Sequence, residues 1–124
     1  MKLSQIIPIV EGTLLCDAHL DVEITCVCAA DLMSDVLAFA EPGSLLLTGL
    51  CNPQVVRTAE MADIVGIIFV RGKQPSSETV ALAKEKGIPL ALTSLTMFEI
   101  CGRLYQAGLR SCEAQCRVPM PREE

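Results

Sequence analysis

From residue 43 onward the hydrophobic positions fall in short continuous runs, separated by segments in which apolar residues recur at helical spacing. Ser44 to Thr48 reads Ser-Leu-Leu-Leu-Thr after the turn pair Pro42-Gly43. That unbroken apolarity predicts a strand buried on both faces. Asn52-Pro53 then supplies an N-cap and a first-turn proline for a helix through about Met61. Val65 to Val70 predicts a second buried strand. Gly72 and Pro75 punctuate the next turn, Ser76 or Ser77 caps a helix whose apolar face is Val80, Leu82 and Ala83, and Gly87 closes it. Pro89 to Thr93 predicts a third strand. The capping-box spacing Thr96-x-x-Glu99 opens a last helix that carries Phe98, Ile100, Cys101, Leu104 and Tyr105 up to Gly108. This βαβαβα run predicts the α/β class: a layered domain with a short parallel or mixed β-sheet flanked by helices.

The first 42 residues have another texture. A short helix is expected near Leu3 to Ile7, then strands at Thr13 to Cys16 and at Val22 to Ala29. In the second of these, Val22, Ile24, Cys26 and Cys28 alternate onto one face, which predicts a half-buried edge or hairpin. Asp31 is placed to cap a helix running to Ala40. From Ser111 the chain mixes cysteines, prolines and charges without periodicity, so the expected division is a domain over residues 1–109 and a flexible C-terminal tail over 110–124.

Composition narrows the function classes. The 124 residues are 51% hydrophobic but only 3% aromatic, so an aliphatic core is expected. No apolar run approaches the roughly 18 residues of a membrane span, and no membrane association is expected. The net charge of -5, without a basic block, argues against a nucleic-acid partner. The start, Met1 to Gln5, has no secretory pattern, which predicts a cytoplasmic location and seven cysteines that are not a disulfide framework.

In an open parallel sheet, ligands bind beyond the carboxyl ends of the strands. Three loops qualify: Thr48-Gly49-Leu50-Cys51-Asn52, Arg71-Gly72-Lys73-Gln74 and Thr93-Ser94-Leu95-Thr96. Thr48, Gly49, Asn52, Arg71, Gly72, Lys73, Thr93, Ser94 and Thr96 thus form a candidate site for a small anion, combining glycines, hydroxyls, cations and helix N-termini. The same residues also fit ordinary turn and cap chemistry. Neither a Walker A motif nor G-x-G-x-x-G occurs, there is no complete catalytic constellation, and no cofactor is expected. His19, the single histidine, reads as a surface turn residue. Asp31 and Asp35 are spaced to flank a ligand or hard cation, but an N-cap and a first-turn acid account for them. Cys26 and Cys28, with Cys112 and Cys116, form an alternative thiolate set for zinc or an iron-sulfur cluster, without the C-x-x-C knuckle that marks zinc sites. Cys16, Cys51 and Cys101 read as small core hydrophobes.

Several motifs occur in a recognisable order: Lys2-Leu3-Ser4, Asp31-Leu32-Met33-Ser34-Asp35-Val36-Leu37-Ala38, Gly72-x-x-Pro75, Glu85-x-Gly87-Ile88-Pro89 and Phe98-Glu99-x-x-Gly102-Arg103-Leu104. Over about residues 2 to 109 the chain resembles the DRTGG domain, especially small stand-alone versions associated with iron hydrogenase gene clusters of anaerobes. The resemblance implies a layered α/β fold like the N-terminal domain of HPr kinase, a homodimer, and a regulatory, noncatalytic role such as sensing an adenine nucleotide or other anionic metabolite. It also lends the cysteine set an alternative role as a metal or iron-sulfur accessory in hydrogenase or redox metabolism. The chain departs from the family name's motif: Val70-Arg71-Gly72 stands where Thr-Gly-Gly is expected, and Thr48-Gly49-Leu50-Cys51-Asn52-Pro53 where the Asp-Arg pair is.

Overall fold

The computed structural model describes residues 1–16 and 19–112. Its elements in chain order are α1 (Leu3–Ile9), β1 (Thr13–Cys16), β2 (Cys26–Ala29), α2 (Met33–Phe39), β3 (Ser44–Thr48), α3 (Pro53–Met61), β4 (Gly66–Phe69), α4 (Ser77–Lys86), β5 (Leu90–Leu92) and α5 (Met97–Gln106). The five strands form one sheet in the order β1-β5-β4-β3-β2. All neighbours are parallel except β1, which runs antiparallel to β5.

Successive residues of the central strands enter opposite layers, as the pleat requires. Leu46, Ile67, Phe69 and Leu90 pack with Val36 of α2, Val55, Val56 and Ala59 of α3, and Ala83 of α4. Leu45, Leu47, Ile68 and Ala91 pack instead with Leu3 and Ile6 of α1 and Ile100 and Leu104 of α5. A three-layer α/β/α domain results, and the unbroken apolar runs of β3 and β4 are the sequence signature of that two-sided burial. Local signals end the helices where expected. Asn52 Oδ1 accepts from Gln54 N–H, Ser76 Oγ from Thr79 N–H and Thr96 Oγ1 from Glu99 N–H. Gly87, at φ 69°, closes α4 in the left-handed region. Only half of the expected capping box forms, because the Glu99 carboxylate accepts from Arg103 Nε instead.

Three expectations for the less regular segments change. First, of the edge and hairpin readings of the Val22 to Ala29 segment the edge holds: β1 lines one edge of the sheet and β2 the other, and the two form no hairpin. Second, the shared face of the Val22 to Ala29 segment breaks at Thr25. Cys26 and Cys28 face the α2–α3–α4 layer while Ile24 joins the α1–α5 layer. The backbone changes partners there: Ile24 N–H bonds Met1 C=O and Thr25 N–H bonds Gly43 C=O before β2 begins. Third, Asp31 does not cap α2, whose N-cap is Leu32. At the C-terminal end, Arg110 to Cys112, expected in the tail, lie against the open side of β2 through a Val27–Ser111 bridge.

Thr93 ties the layers together at the end of β5. Its buried hydroxyl donates to Val10 C=O at 2.6 Å and accepts from Leu95 N–H at 3.2 Å. Thr93→Val keeps the shape but leaves both main-chain groups without that partner. It should lower the unfolding free energy by about 1–3 kcal/mol, read by urea denaturation.

Candidate functional site

The strand order advances steadily from β2 to β5, and α2, α3 and α4 all pack in one layer. After β5 the chain turns to the other layer and forms α5. The loops that leave in opposite directions are therefore those after β4 and β5. Their divergence is the geometry that opens a crevice at the carboxyl edge of a parallel sheet. It places Arg71, Gly72 and Lys73 opposite Thr93, Ser94 and Thr96. The loop after β3, carrying Thr48, Gly49 and Asn52, stands one strand further along.

Much of the expected ligand-facing chemistry is satisfied internally. Asp31, two residues beyond β2, reaches the end of β3, where its Oδ1 accepts from Gly49 N–H at 2.8 Å and from Thr48 Oγ1 at 3.0 Å. Thr48 Oγ1 in turn accepts from Leu50 N–H. A carboxylate of the chain itself thus occupies the donors that an anion would use. Asn52 and Thr96 are spent as caps. Gly72 N–H donates to Thr93 C=O at 2.8 Å and Arg71 N–H to Leu95 C=O at 2.9 Å, so main-chain bonds join the bases of the two loops. The side chains of Arg71, Lys73 and Ser94 remain exposed and carry no hydrogen bond or ion pair among the described residues. The structure thus brings the loop after β4, with its cations, against the loop of Ser94 after β5, while the adjoining β3 loop, whose Cys51 feels the charge of Lys73, already holds a carboxylate. The role of Asp31 had one sequence signal, its place just past a strand end, outweighed there by cap chemistry.

Arg71 and Gly72 are consecutive residues in the left-handed region, with φ of 56° and 69°. Gly72 is required there by conformation alone, since a Cβ would meet nothing within 4 Å. A non-glycine residue in that region is held against an intrinsic cost. Gly49 has no such requirement: a Cβ there would stand 3.7 Å from Asp31 Oδ1, an ordinary contact.

The cysteines divide by environment. Burial pushes the Cys51 thiol up, with Lys73 opposing and Asp31 reinforcing the shift, and burial also raises Cys101. Cys26, Cys28 and Cys112 are buried in one layer. Burial, together with the adjacent Cys112 sulfur, pushes Cys26 up to about 12. Cys116, the fourth member of the expected thiolate set, lies outside the described residues. Among the described residues, no group of three or more His, Cys, Asp or Glu is arranged to hold a metal ion. His19 is exposed in a turn, its ring near Gly87. No described helix is long and apolar enough to cross a membrane.

One solved structure similar to this chain holds the CBS and DRTGG domains of the regulatory region of the Clostridium perfringens pyrophosphatase, complexed with the activator diadenosine tetraphosphate. The likeness has a TM-score of 0.65 at 16% identity and covers 86% of this chain and 46% of that one. It establishes the fold, and this chain spans about half the length of that region. No curated protein matches the chain. The profile of the DRTGG domain matches residues 5–107, nearly the whole of the described structure. On that match the chain belongs to the DRTGG domain family.

Proposed function

We propose that this domain is a noncatalytic regulatory module of the cytoplasm that senses a small anionic ligand, an adenine nucleotide or another phosphate-bearing metabolite, and that it works as a homodimer. The observation that carries the ligand reading is Arg71. An exposed arginine without an internal partner is kept at φ 56°, beside exposed Lys73, where the two diverging loops open the sheet edge. Glu11, His19 and Asp63 share the left-handed region, but of these four Arg71 stands between β4 and α4, where its main-chain bonds to the β5 loop hold the turn and leave its side chain free for a ligand. The activator of the similar regulatory region is a dinucleotide polyphosphate, the class of anion that two adjacent cations suit. Ser94, exposed on the loop after β5, adds a hydroxyl. With Asp31 filling the β3 side, the ligand is expected over the β4 and β5 loops.

The dimer reading rests on α5. Phe98 is 88% and Tyr105 61% exposed, and Gly102 between them has open space above it. At helical spacing these three form one stripe. A two-fold axis near Gly102 would let two copies of α5 cross closely, each Phe98 reaching the partner's Tyr105, as an isologous interface requires.

Binding is tested by isothermal titration with inorganic tripolyphosphate and with ATP. Arg71→Ala and Lys73→Ala should each weaken binding by about 1–3 kcal/mol, the scale of a charge-assisted hydrogen bond, and binding should fall with salt. Arg71→Gly should separate the two properties of the position: binding drops as in the alanine variant, while unfolding free energy rises by about 1 kcal/mol. Unchanged affinity in all three variants would refute the site.

Light scattering should give a species of twice the 13.3 kDa chain mass. Phe98→Asp, at a position already exposed, should halve that mass and leave the circular dichroism spectrum unaltered. A monomer at every concentration refutes the dimer.

A further inference from the structure

Two sulfur atoms from opposite ends of the described chain lie closer than unbonded sulfurs ordinarily approach. Cys26 Sγ and Cys112 Sγ are 2.9 Å apart although the residues are separated by 86 positions. Both are buried, and neither is in a disulfide. The backbone builds the approach. Val27 N–H donates to Arg110 C=O at 2.9 Å, and Cys112 N–H donates to Val27 C=O at 3.1 Å, so Ser111 bridges the open side of edge strand β2. A segment paired through one bridge opens at far less cost than a central strand. On its other side Cys26 is the register partner of Ser44. The Ser44 hydroxyl is a buried polar group with no hydrogen-bond partner among the described residues. The hydroxyl that does meet the Cys26 sulfur is Thr25 Oγ1, which donates to it at 4.0 Å, a contact that favours the thiolate.

We propose that Cys26 and Cys112 are a reversible redox site: a dithiol in the reduced protein that a low-molecular-weight disulfide of the glutathione class converts to an intramolecular disulfide. In the first step one of the two sulfurs, as thiolate, attacks the small disulfide, forming a mixed disulfide and releasing one small thiolate. The second sulfur then attacks the protein sulfur of the mixed disulfide and releases the other. Two S–H bonds are lost and one S–S bond forms within the protein. The two electrons reduce the small disulfide to two thiols, which take up the two protons. While the segment is closed, the Cys26 thiol holds its proton, and reaction proceeds when Arg110–Cys112 lifts from β2 and exposes both groups. Reclosure places the sulfurs side by side for the second step. Oxidation then ties the C-terminal segment covalently to the sheet edge. It fixes one wall of a groove of about 160 Å³ lined by Val27, Ala29, Leu104, Tyr105, Leu109 and Arg110. A reversible bridge of this kind is compatible with a reducing compartment, where protein disulfides are transient and regulatory.

The test equilibrates the full chain, without oxygen, in mixtures of reduced and oxidised glutathione, quenches it with an alkylating reagent and maps the cysteines by mass spectrometry. Cys26 and Cys112 should lose alkylation together as the buffer becomes oxidising. A cross-linked peptide pair, two hydrogens lighter than its reduced parts, should appear and be fully reversed by dithiothreitol. The oxidised protein should melt at higher temperature than the reduced one. Cys28→Ser should leave the bridge intact and Thr25→Val, at an exposed position, should slow its formation. Cys112→Ala, at a position outside the central strands, should abolish the bridge, so the result does not depend on whether Cys26 variants fold. The proposal is overturned if Cys26 and Cys112 stay alkylated in fully oxidised buffer, or if glutathione remains on either as a stable adduct. It is equally overturned if Cys112 bridges to Cys28 or Cys116 instead, or if the anaerobically purified protein holds a stoichiometric metal that these thiols bind.

Discussion

Two-sided burial of β3 and β4 is the constraint on which the rest of the domain depends. Ser44 to Thr48 and Gly66 to Phe69 are buried at every position. Alternate side chains of such strands point in opposite directions, so each face needs its own apolar layer. Helices α2, α3 and α4 supply one, and α1 with α5 the other. Three consecutive crossovers fill the first layer, and the chain after β5 joins α1 in covering the second. That single change of side makes the loops after β4 and β5 diverge, and it fixes where the sheet edge opens.

Hydrogen-bond satisfaction then decides which part of the opening stays available. Main-chain donors at a strand end must find acceptors, and at β3 the acceptor is Asp31 of the neighbouring edge strand's loop. The expected anion site is filled on that side by an anion of the protein's own. At β4 and β5 the donors meet the carbonyls of Thr93 and Leu95, which leaves the flanking side chains of Arg71, Lys73 and Ser94 to face solvent. The positive φ of Arg71 and Gly72 belongs to the same geometry. It turns two successive N–H groups toward the β5 loop, a turn that two glycines would adopt without cost and that here carries one arginine.

Helix α5 connects these features to the remainder of the surface. Its buried face, Ile100 and Leu104, closes the second layer, and Arg103 anchors it to the end of α1 through Ile9 C=O and Glu11. Its outer face leaves Phe98 and Tyr105 uncovered, with the Arg110 guanidinium 4.0 Å from the centroid of the Tyr105 ring. Arg110 to Cys112 then cross to β2, so the groove beside Tyr105 and the Cys26–Cys112 pair are two ends of one short segment. The segment touches α5 directly, through the Arg110 guanidinium on the Tyr105 ring and on Tyr105 C=O.

Elements β3 through α5, the helix caps at Asn52, Ser76 and Thr96, the left-handed stop at Gly87 and the α/β class were all legible in the residues alone. Each of these depends on periodicity or on cap and turn chemistry within a few residues, so the signal is local. The aliphatic run of β3 also announced burial on both faces. It took the assembled fold to set β1 and β2 at opposite edges, to divide Ile24 and Cys26 between different layers, and to turn Asp31 to β3 instead of capping α2. The assembled fold also decided that Cys112 belongs to it and not to a tail. Those outcomes depend on partners far apart in the chain, such as Val10 with Thr93 and Val27 with Ser111, and alternation along a strand does not specify which distant strand will pair with it. The candidate site divides in the same way. Residue types that suit an anion can be read from three loops, but which of their donors remain unsatisfied is set by contacts between loops, and those exist only once the sheet has formed.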